Sequence, residues 1–140
     1  MLTSAERVRL SIQHEEPDRV PLDLGGGPTT GMQVNSVYRL RQALHLDPPG
    51  TPVKVVEPFQ MLGEIKPDLI EALGVDVVCL EPPATMFGFK KEGWKPWTTF
   101  DGTPVLVPGG FNTEPDANGD ILMYPYADTS VPAWLSGPAR

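Results

Sequence analysis

Three carboxylates stand where an α/β chain would use them. Asp23 lies near the end of a short apolar run at residues 20–24, Glu57 follows a second run at 53–56, and Glu81 follows a third at 75–80. If these runs are parallel strands, their C-terminal ends share one edge, which is where such sheets hold ligands. A carboxylate in a pocket there can take up or release a proton, provided burial or a neighbouring charge moves its pKa toward the working pH. The ordinary alternative is that each carboxylate caps a loop or accepts backbone hydrogen bonds. Gly25 and Gly26, in the run Gly25-Gly26-Gly27, allow backbone to approach a ligand or simply turn the chain. They form no GxGxxG fingerprint, and no GK[ST] follows. The candidate pocket-lining set is therefore Asp23, Gly25, Gly26, Glu57 and Glu81. No catalytic residue and no metal ligand is assigned.

Other reactive side chains have plainer readings. His14 and His45 each follow a helical pattern, where a histidine suits the negative end of the helix dipole. Cys79 is the single cysteine; it reads as a small buried hydrophobe, with no thiol to pair with and no histidine beside it. Asp76 reads as fixing a helix-to-strand turn. Trp94 and Trp97, with Phe87, Phe89 and Phe100, either wall a flat ligand or form a small core of their own.

The elements that must position these residues are short. Thr3 and Glu6 make a capping box for a first helix, with Leu2, Ala5, Val8 and Ile12 on one face and Arg7, Arg9 and Gln13 wet. The residue before Pro17 is pushed out of the helical region, so the helix ends there. Residues 20–24 read as a strand, although Pro21 cannot donate to a sheet and belongs near its start. A second helix spans 35–44, with Val34, Val37, Arg41 and Leu44 in helical spacing and the Arg41 stem covering part of that face. A third begins at Pro67 and closes at Gly74. The β-branched run 75–80 then reads as the clearest buried strand, giving a helix, glycine and strand in α/β order. Beyond Pro83 the pattern changes: Asp101-Gly102, between two apolar runs, predicts a hairpin with a type I′ turn. Residues 121–124 are a further strand candidate, and 131–140 contain no convincing element.

Composition narrows the function classes. A formal charge of −7 disfavours binding to a nucleic-acid backbone, which needs clustered Lys and Arg. No apolar run is long enough to span a membrane, Glu6, Arg7 and Arg9 interrupt any signal-peptide core, and a lone cysteine fits a cytoplasmic chain. Seventeen prolines and fourteen glycines favour short elements joined by many turns. A chain of 140 residues is too short for a whole eight-stranded barrel, which takes about 250.

Two strings resemble the start of the uroporphyrinogen decarboxylase superfamily. The first is Glu6-Arg7-Val8 with His14-Glu15-Glu16-Pro17-Asp18-Arg19-Val20-Pro21; the second is Leu73-Gly74-Val75-Asp76-Val77-Val78. The resemblance covers residues 5 to about 130. It implies the α/β class, as the N-terminal part of a (β/α)8 TIM barrel. Residues 1–140 would be an incomplete domain: 1–83 the first barrel helices and strands, 84–130 a small antiparallel β-hairpin insertion, and 131–140 an irregular tail. It further implies one of two activities, cofactor-free decarboxylation of uroporphyrinogen in porphyrin biosynthesis or zinc-dependent methyl transfer to a thiol with a corrinoid partner. Leu24-Gly25-Gly26-Gly27-Pro28-Thr29-Thr30 stands where decarboxylases carry an arginine-rich segment, and Leu80-Glu81-Pro82-Pro83 stands where they carry F-S-D-I. The methyltransferase branch is thus favoured, with its zinc and corrinoid supplied by a full-length relative and the isolated chain inactive. The partners implied are a small-molecule substrate or a corrinoid protein, with self-association through surfaces left open. The competing expectation is a small non-catalytic interaction module.

Overall fold

The structure is a computed structural model that describes residues 1–136. The described residues divide into two compact units, residues 1–31 with 65–80 and residues 32–64 with 81–136. Among the described residues no helix is long and apolar enough to cross a membrane.

The first unit holds two α-helices, a short 3-10 turn at Pro28–Thr30 and no strand. Helix α1 (Ser4–Ile12) starts from the expected capping box: the Thr3 hydroxyl accepts from the Glu6 backbone N–H, and the Glu6 carboxylate accepts from the Thr3 N–H. The face it buries is not the apolar one. Arg7 is 4 % exposed, whereas Ile12 is 72 % exposed. Helix α3 (Pro67–Leu73) begins at Pro67 and ends at Gly74, which is left-handed at φ 65°; Leu69 is fully buried.

The three α-helices among the described residues end in the same way. The last turn is closed by paired bonds from the two following N–H groups: His14 to Ser11 with Glu15 to Leu10, His45 to Gln42 with Leu46 to Arg41, and Gly74 to Glu71 with Val75 to Ile70. This Schellman geometry needs a left-handed residue, usually glycine. His14 and His45 fill it at φ 60° and 55°.

The second unit is built on an open, mixed sheet in the order β2-β1-β4-β3. Strand β1 (Val53–Glu57) alternates buried and half-buried residues, the period of a strand packed on one face. It turns through Glu57, Phe59 and Gln60 into β2 (Leu62–Gly63), antiparallel and with a bulge. Strands β3 (Lys95–Thr98) and β4 (Pro104–Val107) form the predicted hairpin, and β4 pairs in parallel with β1. Helix α2 (Val34–Ala43) packs on β1 and β2. The pair is close because of Gly63: a methyl group there would stand 2.9 Å from Val37 Cγ2 and 3.1 Å from Val34 Cα. Val34, Val37, Val53, Val55, Val105 and Val107 are the buried centre. Strand β5 (Ile121–Met123) pairs with β6 (Trp134–Ser136) in a separate two-stranded sheet. Strand β6 lies in the stretch from which no element was expected; residues 137–140 of that stretch fall outside the described residues.

The barrel expectation is therefore corrected. Among the described residues the two sheets are open, and their only parallel pairing is β1 with β4. The two runs expected as parallel barrel strands, 20–24 and 75–80, form no ladder. Pro21 has no N–H to give, and the Asp76 side chain takes the Leu22 N–H at 2.9 Å that a neighbouring strand would have accepted. Nor is the hairpin an insertion laid against a barrel, since β4 is an inner strand of the main sheet. Its turn also differs. The loop is Phe100, Asp101 and Gly102, closed by Thr99 N–H to Thr103 O, with positive φ at Gly102 alone. Asp101 accepts from both threonine hydroxyls, which fixes a three-residue turn in place of type I′.

Candidate functional site

The five pocket candidates are divided between the two units. Asp23 belongs to the first unit, Glu57 and Glu81 to the second. Each carboxylate is engaged locally. Asp23 Oδ1 accepts from Gly26 N–H at 2.9 Å and the Thr30 hydroxyl at 3.0 Å. Glu57 is buried and caps its turn, accepting from Phe59 N–H at 3.0 Å and Gln60 N–H at 2.7 Å. Glu81 pairs with Lys91. Gly25 and Gly26 make room for the chain itself: a methyl group would stand 2.6 Å from Ile65 Cγ1 at Gly25, and 2.5 Å from Asp23 Oδ1 at Gly26. Asp23, Glu57 and Glu81 thus hold loops, and no hydrogen bond or ion pair among the described residues joins any two of them.

The aromatic residues divide between core and surface. Phe89 and Phe111 are buried edge-to-face, with centroids 5.9 Å apart, and Trp97 meets Phe111 at 6.2 Å. Trp94 instead carries Lys54 over its ring at 5.2 Å. Phe100 is exposed at the hairpin tip.

His14 and His45 end helices in different units, and Cys79 lies between two exposed apolar side chains. Among the described residues no three of His, Cys, Asp and Glu come together as ligands.

What the structure does assemble, and the sequence did not announce, is an ionic clasp in the first unit. The Arg7 guanidinium donates to Asp18 Oδ1 at 2.7 Å and to Asp76 Oδ1 at 2.6 Å. Arg19 donates to Asp76 Oδ2 at 2.7 Å and to the Gly74 carbonyl at 2.9 Å. Asp76 is fully enclosed. The Arg7 fork holds the Asp18 carboxyl down at about 2. The Leu22 N–H, with Ser4, Arg19 and Arg7, holds Asp76 lower still, and Asp18 in turn raises Arg7. A carboxylate that accepts several hydrogen bonds from charged and backbone donors stays ionised, which suits a structural tie better than proton transfer.

The clasp sets residues 74–76 beside residues 19–22, and a single backbone bond, Asp76 N–H to Leu22 O at 2.8 Å, joins them. Beyond it the segment continues unpaired: Val77, Val78, Cys79 and Leu80 make no backbone hydrogen bond among the described residues. From Val77 onward burial alternates, half-buried then exposed, the two-residue period of an extended chain. Val78 is 69 % and Leu80 96 % exposed, and Val20 on the neighbouring segment is 84 % exposed. The segment thus presents an apolar row beside backbone donors and acceptors that have no partner among the described residues.

The strings that suggested a decarboxylase relative are accounted for by this arrangement. Arg7, Asp18, Arg19 and Asp76 form the clasp, and Gly74 is the left-handed end of α3. Compared with protein-family models, with curated proteins and with solved structures, the chain matches none, and with an open mixed sheet in place of barrel strands the resemblance to the uroporphyrinogen decarboxylase superfamily is not upheld.

Proposed function

We propose that this chain is a protein-interaction unit that accepts an extended polypeptide segment along residues 77–80. The observation that carries the reading is the run of four residues without backbone partners among the described residues, displaying Val78 and Leu80 outward. An apolar cover such as a helix face would hide the side chains but leave peptide groups buried without partners, at about 1–3 kcal/mol each. An added strand covers the side chains and completes the hydrogen bonds together, which is how exposed strand edges capture peptides. No comparison ties the chain to decarboxylation or to methyl transfer, and Asp23, Glu57 and Glu81 are spent on loop capping and pairing.

The test is amide hydrogen exchange on the full chain, with and without a synthetic peptide of alternating valine and threonine. Added peptide is expected to slow exchange at residues 77–80, and Val78→Lys with Leu80→Lys to abolish the effect. Peptide amides that never protect this segment, or protection that survives the double substitution, would overturn the reading.

A further inference from the structure

We infer that the segment accepted at this edge is a basic one; the inference rests on the strand-accepting reading above and names the partner's chemistry. Within the first unit Arg7 and Arg19 are held against Asp18 and Asp76, so neither pair contributes a free charge. What is left is strongly one-sided. Glu6, Glu15, Glu16, Asp23 and Glu71 are all exposed, against Arg9 and a half-buried Lys66. Glu15 and Glu16 lie five and four residues before Val20, and Asp23 lies three residues after it. Apolar contact and backbone pairing are indifferent to the partner's charge; the surrounding field is not. A segment flanked by Lys or Arg is drawn in by that field and a segment flanked by Glu or Asp is repelled. The same argument disfavours a second copy of the chain as occupant, because each copy brings a formal charge of −7.

The probes are two fluorescent peptides with one alternating valine–threonine core, flanked by lysines in one and by glutamates in the other. Both are titrated into the full chain at low and at high salt, while sedimentation follows the chain alone. The lysine-flanked peptide is expected to bind about tenfold more tightly at low salt, with the gap closing at high salt as charges are screened. Glu15→Lys with Glu16→Lys is expected to narrow the preference while leaving exchange protection at residues 77–80 intact. Equal affinity for both peptides at every salt concentration would overturn the basic partner and leave the strand edge standing. Concentration-dependent dimerisation abolished by Leu80→Lys would also overturn it, by making a second copy the occupant. Binding of neither peptide would overturn the strand-accepting reading itself, and this inference with it.

Discussion

His14 and His45 occupy equivalent places, each one residue past a helix cap in a left-handed conformation that a β-carbon resists. That conformation costs an L-residue about 1 kcal/mol or somewhat more, so His14→Gly and His45→Gly are each expected to stabilise the chain by roughly 0.5–1 kcal/mol. Urea unfolding measures this directly; a loss of stability in both variants would mean that the imidazoles contribute more than their backbone strain. The sequence placed both histidines correctly at helix ends but offered dipole attraction as the reason. The backbone reason was hidden because only Gly74 carries the residue type by which such an end is recognised. Arg7 was misplaced for a related cause. Helical spacing assigns arginine to water, yet a guanidinium can be buried once carboxylates meet its donors, and Asp76 is sixty-nine residues away. Arg41 repeats the lesson in the second unit: it lies on the predicted face, fully buried, and its charge is met by Asp47 at 2.5 Å.

At the scale of elements, tight packing of α2 on β2 makes a second expectation. A methyl group at Gly63 would press on Val37 and on the Val34 backbone, and backbone cannot yield as a flexible side chain can. Gly63→Ala is expected to cost about 1–3 kcal/mol by overpacking, and adding Val37→Ala should cost less than the sum of the two single changes, as for any pair in contact. Strictly additive losses in urea unfolding would show that the two do not meet. Helices α2 and α3, strand β1 and the hairpin were legible in the sequence because caps, prolines and apolar period act locally. Residues 75–80 were not. A β-branched run favours extended backbone, but whether it becomes a strand depends on a partner with free N–H and C=O groups. Pro21 and the Asp76 carboxylate remove that partner at Leu22. The hairpin shows the converse: its Asp-Gly signal was right about the turn and wrong about its type, because the Thr99 and Thr103 hydroxyls hold Asp101.

For the molecule as a whole, acid is expected to loosen the clasp of the first unit. The folded pKa of Asp18 lies at about 2, below its ordinary 3.8, and Asp76 is lowered further. A depressed carboxylate contributes stability that is fully present above its unfolded pKa and is lost as pH falls through the folded value. The clasp should therefore hold above about pH 4 and fail progressively toward about pH 2 and below. Amide exchange in α1 and α3 followed across that range is the measurement. Protection unchanged down to about pH 2 would show that the clasp contributes nothing to that unit, and Asp76→Asn should move the loss to higher pH. By itself the sequence determined what neighbours within a few residues decide: the Thr3–Glu6 cap, the ends of α2 and α3, the hairpin, and a charge balance that disfavours nucleic acid. Only the tertiary structure decided that Arg7, Asp18, Arg19 and Asp76 meet, that β4 joins β1 in an open sheet, and that residues 77–80 find no backbone partner among the described residues. Each of those outcomes depends on groups far apart in the chain, and no local pattern specifies which distant donor an acceptor will find.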